Sequence, residues 1–307
     1  MTRVRVATRA SELALAQARL VAAQLEAALG VAVELVPLST TGDRIQSISL
    51  AQVGGKGLFV KEIEEALLDG RADLAVHSAK DLPAEIHPDL LLVAFPERAD
   101  PRDALVTRVR GQTLDALAHG ARVGTGSVRR TAQLRAARPD LEVVPLRGNL
   151  GTRLRRLESE GLDAVVLACA GLDRLGLAER IDERLAPERM LPAVAQGTLA
   201  IEGRRGDSLA RDAAALDHAA TAVRVAAERG CLARLGADCF VPLAALAETA
   251  GGVVRLRALL AALDGGRVLR VHGEAPAGEA AGLGAGLAER LLAEGGRELL
   301  AALRSGA

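Results

Sequence analysis

The sequence predicts two successive α/β domains followed by a small α+β domain, and three observations carry that expectation. Apolar segments that switch between a strand-like and a helix-like period run from residue 3 to about residue 170, the pattern of a mostly parallel sheet covered by helices. A charged, apolar-poor stretch broken by Pro101, ERADPRDA at 97–104, interrupts the run as a crossing between domains does. After Ala237 three apolar segments are joined by the turns AGG and DGG, which is antiparallel patterning.

Each element follows in order. RVRVAT (3–8) alternates as a strand, Ser11 caps an amphipathic helix that runs to Leu29 and is closed by Gly30, and VAVELVPLS (31–39) is a second strand. Residues 40–57, TTGDRIQSISLAQVGGKG, are polar and Gly-rich with no sustained period, and a loop of that length is expected to be a lid. A helix from Leu58 to Asp69 and strands at 72–79 and 90–96 complete the first series. The second series has strands at 103–107, 121–126, 141–147 and 162–170, with helices starting near Ser127 and Leu150. LPAVAQGTLAIEGRR (191–205) reads as a second crossing, with helices from Asp207 onward. CFVPLAALAET, VVRLRALLAAL and RVLRVHGEA are the last strands, and one helix spans Ala277 to Leu303. The expected domains are 1–96 with 198–216, then 101–193, then 218–307.

Composition removes several functions. The 39 basic and 39 acidic residues cancel, whereas a protein living on a polyanion carries a basic excess. Aromatic residues make up 1% of the chain, with no Trp or Tyr, so bases find no stacking platform and a bilayer no aromatic belt. No uninterrupted apolar run reaches ~18 residues, and the opening MTRVRVATRASELAL lacks the apolar core of a signal peptide. A cytoplasmic protein without nucleic-acid or membrane partner is expected. Cys169, Cys231 and Cys239 are odd in number and lack CxxC spacing, so free thiols and no metal site are expected. Only Lys56, Lys61 and Lys80 stand against 36 arginines, which suggests that an ammonium group has a specific use between 56 and 80.

Asp81, in HSAKDLP just beyond a strand, lies where open α/β sheets bind ligands, and a carboxylate there can steer protons or stabilise a cation. His77, on the same strand, reads more simply as a core histidine. Residues 122–156 hold nine arginines against Asp140 and Glu142. Arg129 and Arg130 fall in the first turn of a helix, where the macrodipole disfavours cations, so a bound anion is expected to compensate. The arrangement recurs where Arg9 precedes the Ser11 cap and where Arg147 and Arg153 bracket GNLGT. GGKG (54–57) and GTGSVR (124–129) fail as P-loop and dinucleotide fingerprints. Cys169 lies in an apolar strand pattern, while Cys239, in LGADCFVP at a strand start, is the reachable thiol.

The segments RASELALAQ, GGKGLFVKEIEEALLDGRADLAVHSAKDLP, DPRDAL, VGTGSVRR, LRGNLGTRL, GLDRLGL and LPAVAQG, together with Cys239, resemble the porphobilinogen deaminase (hydroxymethylbilane synthase) family in order along essentially the whole chain. The resemblance implies two periplasmic-binding-protein-like α/β domains plus an α+β cofactor domain. It implies a transferase that joins four porphobilinogen units head to tail, releasing ammonia each time, to give the linear tetrapyrrole hydroxymethylbilane of heme biosynthesis. It also implies a monomer with a dipyrromethane cofactor held by a thioether to Cys239. Lys80, Ser127, Arg129, Arg130 and Arg147 would bind that cofactor, while Arg9, Ser11, Lys56, Arg147, Arg153 and Arg174 would bind substrate carboxylates. Asp81 would be the catalytic carboxylate, holding the pyrrole N–H, stabilising the cation left when ammonia departs and helping to move the protons. Gln52 and Gly126 depart from the lysine and serine of related sequences, Asp238 replaces a glycine and Glu12 a proline. A two-lobed binder of a small polyanion would use the same arginines, but it would need no Cys239. An RNA-binding module would need the missing aromatics.

Overall fold

The computed structural model describes residues 3–41, 60–237 and 241–305. Two compact units divide the chain, residues 1–99 with 197–222 and residues 100–196 with 223–307. In chain order the strands are β1 (Arg3–Arg9), β2 (Ala32–Leu38), β3 (Leu74–Ser78), β4 (Leu90–Ala94), β5 (Asp103–Thr107), β6 (Arg122–Thr125) and β7 (Glu142–Pro145). They continue with β8 (Ala164–Ala168), β9 (Glu183–Leu185), β10 (Leu199–Arg204), β11 (Leu243–Ala250), β12 (Val253–Ala261) and β13 (Val268–Pro276). The helices are α1 (Glu12–Leu29), α2 (Lys61–Leu68), α3 (Val128–Ala137), α4 (Leu150–Ser159) and α5 (Cys169–Arg174). After them come α6 (Ser208–Ala213), α7 (Ala219–Leu235), α8 (Ala280–Leu291) and α9 (Arg297–Ser305).

In unit one the sheet order is β2-β1-β3-β10-β4. β1 pairs parallel with β2 and β3, while β10 runs antiparallel to β3 and β4. Val4, Val6, Leu74, Val76 and Ile201 bury one sheet face under Ala18, Val21 and Leu25 of α1. Ala7 and Ala75 bury the other under Ile63 and Leu67 of α2. Covering both faces removes the apolar surface of short parallel strands from water. α1 ends as its sequence requires: Ser11 Oγ accepts from Ala14 N, and Gly30 takes the left-handed conformation at φ 64.

The second sheet, order β7-β6-β8-β5-β9, repeats the plan with β5 antiparallel to β8 and β9. The C-terminal part of unit two is the antiparallel meander β11-β12-β13. Gly273 of β13 lies under Leu283 and Leu287 of α8. Three local expectations are corrected. The C-terminal part of the supposed crossing at 191–205 is β10 (Leu199–Arg204), inserted into the first sheet. Cys169 opens α5 rather than ending a strand. The expected helix over 277–303 is interrupted at Gly295, whose φ of 106 breaks the helical path between α8 and α9. A glycine meets no Cβ penalty there.

Candidate functional site

Within unit one, two adjacent parallel strands bring their C-terminal ends together. β1 delivers Arg9 and then Ser11, while β3 leads into a 3-10 turn, Ala79–Asp81, that carries Lys80 and Asp81. Arg9 Nη1 stands 3.7 Å from Asp81 Oδ2, with Asp81 about one third exposed (36%). Arg9, Ser11, Gln17, His77, Ser78 and Asp81 line a pocket of about 60 Å³. Ser78 Oγ donates to Gln17 Oε1 at 3.1 Å, fixing that wall. His77 is buried, as read from the sequence, and its Nε2 lies 2.9 Å from Oε2 of the buried Glu202. The Glu64 carboxyl is pushed up by burial and by the charge of Glu202, against a backbone N–H bond from His87.

Within unit two, the arginines expected to meet an external anion meet an internal one first. Arg129 and Arg130 are each 4% exposed and Asp103, at the head of β5, is 0% exposed. Arg129 Nη1 donates to Asp103 Oδ2 at 2.7 Å and Nη2 to Oδ1 at 3.2 Å, while Arg130 Nε and Nη2 donate to Oδ1 at 3.0 and 2.7 Å. Gln196 Nε2 adds a bond of 2.9 Å. Burial alone would raise the Asp103 carboxyl, but the two guanidinium groups hold it well below the carboxylate range. Asp103 therefore supplies the compensation sought at the start of α3. It does so incompletely, because two cations face one anion and Arg129 Nε is buried without a partner.

Ser127 occupies the N-cap position of α3 without making a side-chain cap bond, so its hydroxyl does not cap the helix as expected. A Cβ on Gly126 would stand 2.5 Å from the Leu146 carbonyl oxygen, so the backbone here does not accept the serine of related sequences. Asn149 caps α4 by accepting from Thr152 N at 2.9 Å, with Arg147 before the cap and Arg153 Nε donating to Gly148 O at 2.8 Å. Arg174 ends α5, and burial pushes its guanidinium down to about 10. Lys56 and Cys239 lie outside the described residues. Cys169 and Cys231 are buried, and desolvation pushes both thiols up to about 12. Sequence reasoning missed Asp103, Gln196 and Glu202. The one available signal was an acid heading the apolar strand DALVT.

Comparisons with known proteins cover nearly the whole chain. Residues 4–212 match the family model "Porphobilinogen deaminase, dipyromethane cofactor binding domain" and residues 222–293 match "Porphobilinogen deaminase, C-terminal domain". The porphobilinogen deaminase of Syntrophotalea carbinolica is 52% identical over 302 residues, covering 98% of this chain and 96% of that protein. That of Roseiflexus castenholzii is 51% identical over 298 residues, covering 96% and 98%. Among solved structures, an ABC-transporter periplasmic substrate-binding protein from Coxiella burnetii aligns with a TM-score of 0.43 at 16% identity, over 69% of this chain and 91% of that one. With two family models spanning both units and half of all positions identical to full-length relatives, the chain belongs to the porphobilinogen deaminase family.

Proposed function

We propose that this enzyme, a transferase of porphyrin biosynthesis by its family, joins four porphobilinogen molecules head to tail with release of ammonia to give hydroxymethylbilane. The observation that carries the reading is the Arg9–Asp81 pair at the rim of the unit-one pocket. It sets a cation for substrate carboxylates beside an anion for the substrate cation.

The family model names a dipyrromethane cofactor, and the residues present fit such a group. Two pyrroles bearing acetate and propionate arms are polyanionic, and the Asp103 cluster retains one surplus positive charge and an orphaned buried N–H. Burial of that surplus is costly until an anion joins it. Arg129, Arg130, Arg147, Lys80 and Ser127 would hold its carboxylates, with Cys239 as the thioether anchor. Cys169 and Cys231, sealed and hard to ionise, make poor alternatives. When bound, the cofactor supplies the free ring carbon on which the chain is built.

Arg9, Ser11, Lys56, Arg147, Arg153 and Arg174 would bind and orient the acetate and propionate of porphobilinogen. Asp81 would accept the pyrrole N–H and stay negative as the carbon–nitrogen bond to the departing ammonia breaks. Its charge then lowers the energy of the methylene pyrrole cation through a fixed, preorganised contact. The proposed enzyme is a cytoplasmic monomer with porphobilinogen as its small-molecule substrate, and no described helix is long and apolar enough to cross a membrane.

Intact mass tests the anchor. Wild type should carry two pyrrole units on one thiol, Cys169→Ser and Cys231→Ser should retain them, and Cys239→Ser should have unmodified mass and no turnover. Retention of the added mass by Cys239→Ser would overturn the assignment.

A further inference from the structure

We propose that Arg184 is a positioning residue for substrate binding: it occupies the Asp173 carboxylate and so leaves the neighbouring Arg174 guanidinium to the acetate or propionate of porphobilinogen. The proposal rests on the reading above in which Arg174 is a ligand for those carboxylates. Asp173 and Arg174 are the last two residues of α5. An acid beside a cation meant for a substrate acid is a competitor, as Asp103 shows by drawing Arg129 and Arg130 inward.

Arg184 Nη2 donates to Asp173 Oδ1 at 2.7 Å and Nη1 to Oδ2 at 3.1 Å, a two-point fork that uses both oxygens. Among the described residues the Asp173 carboxylate has no other hydrogen-bond partner. Its charge still reaches Arg174: burial pushes the Arg174 guanidinium down to about 10, and Asp173 opposes that shift. Arg184 comes from β9, whose register sets it opposite Ala104 of β5. Its Nη1 also donates to Asp100 Oδ2 at 2.8 Å, and Asp100 is separately held by Arg102 Nε and Nη2 at 3.0 and 2.8 Å. Asp100 therefore keeps a guanidinium of its own if Arg184 is removed, whereas Asp173 keeps no hydrogen-bonded one.

Loss of Arg184 would leave an uncompensated carboxylate next to the cation that the substrate needs. It would draw the Arg174 guanidinium toward itself and repel an incoming carboxylate, which weakens the bound substrate and the transition state alike. The expected signature is a rise in KM without a fall in kcat. Arg184 acts through Asp173 and Arg174 and takes no part in the bond changes.

Steady-state ammonia release by the holoenzyme tests this, with intact mass confirming the cofactor in each variant. Arg184→Gln keeps polarity but loses the charge, and it should raise the KM for porphobilinogen roughly 3–30-fold with kcat little changed. The rise should shrink as salt goes from about 0.05 to about 0.5 M, because partly exposed charges are screened. Asp173→Asn removes the competitor while Arg184 retains Asp100, so its KM should equal or fall below that of wild type. Adding Asp173→Asn to Arg184→Gln should restore the wild-type KM, and Arg184→Lys, which returns the charge without the fork, should recover most of it. A KM for Arg184→Gln within about twofold of wild type would overturn the proposal. So would Asp173→Asn raising KM as much as Arg184→Gln, since the ion pair would then be a scaffold for α5 and not a means of sparing Arg174. If Arg184→Gln fails to fold, Asp173→Asn still decides, because a KM more than about threefold above wild type refutes the argument. Arg174→Leu separates the premise from the proposal. An unchanged KM there would sink the reading of Arg174 as a carboxylate ligand, and a raised KM there beside an unchanged one in Arg184→Gln would sink the proposal alone.

Discussion

Replacing Asp103 with Asn probes a fully buried charge in unit two. Asp103 accepts four bonds from Arg129 and Arg130 and one from Gln196, all at 3.2 Å or less, and its side chain is 0% exposed. Asn keeps the size but presents an N–H group where one carboxylate oxygen faced a guanidinium. It leaves two cations, each about 4% exposed, with no anion between them. Removing one partner of a buried pair typically costs ~3–5 kcal/mol, because the remaining charge is neither paired nor hydrated. At roughly 2–4 °C per kcal/mol for chains of comparable size, the melting temperature should fall by ~6–20 °C. Urea unfolding of wild type and Asp103→Asn at a series of pH values is the assay. The Asp103 carboxyl is depressed in the folded state, so its contribution is complete above its unfolded value of ~3.9 and is lost as pH falls further toward the folded value. The gap between the two proteins should be constant from pH 7 to about 5 and narrow below ~4. A difference under ~1 kcal/mol at pH 7 would refute the claim that this cluster is a buried, mutually dependent charge set.

Asp81→Asn should lower ammonia release by roughly 10²–10⁴-fold, since it removes a preorganised charge, while stability changes by no more than ~1 kcal/mol because the site is partly exposed. Activity within tenfold of wild type, in enzyme whose cofactor loading is confirmed by mass, would make Asp81 a turn residue. Arg147→Leu should weaken porphobilinogen binding or cofactor assembly by ~2–5 kcal/mol, against under ~1 kcal/mol for Arg155→Leu. Arg155 is the apt control because it is exposed and, among the described residues, its side chain bonds to Thr152 Oγ1 alone. Arg138 would not serve, since it holds the Leu114 and Leu117 carbonyls as well as Asp140. With both thiols pushed up to about 12, Cys169 and Cys231 should resist iodoacetamide at pH 8 in the native protein and react once it is unfolded. Mass spectrometry of the alkylated chain reads the outcome, and rapid native modification of either would contradict their burial.

Where local pattern and tertiary role coincide, the sequence was readable. The apolar pattern of β1, the Ser11 cap and the Gly30 stop of α1 are short-range signals, and the structure forms the strand, the cap and the stop where they fall. β10 was not readable, because Glu202 and Gly203 break its apolar pattern and its place depends on partners in β3 and β4 far back in the chain. The break at Gly295 was hidden by Ala-rich helical sequence on both sides, although the Gly295-Gly296 pair was its signal. The excess of arginines between 122 and 156 was plain, yet sequence does not show which of them are spent internally. Arg129 and Arg130 turn inward to an aspartate 26 and 27 residues away. Likewise the His77–Glu202 pair joins residues 125 positions apart, a separation at which no spacing rule operates.

The most direct test of the proposed activity is the stoichiometry of a single reaction. Purified enzyme is incubated with porphobilinogen alone, and the ammonia released and the porphobilinogen consumed are measured together with the mass of the tetrapyrrole product. One ammonia per porphobilinogen, and one linear hydroxymethylbilane for every four consumed, is the predicted result. Porphobilinogen bound but recovered unchanged, with no ammonia, would contradict it and leave a binding protein in its place.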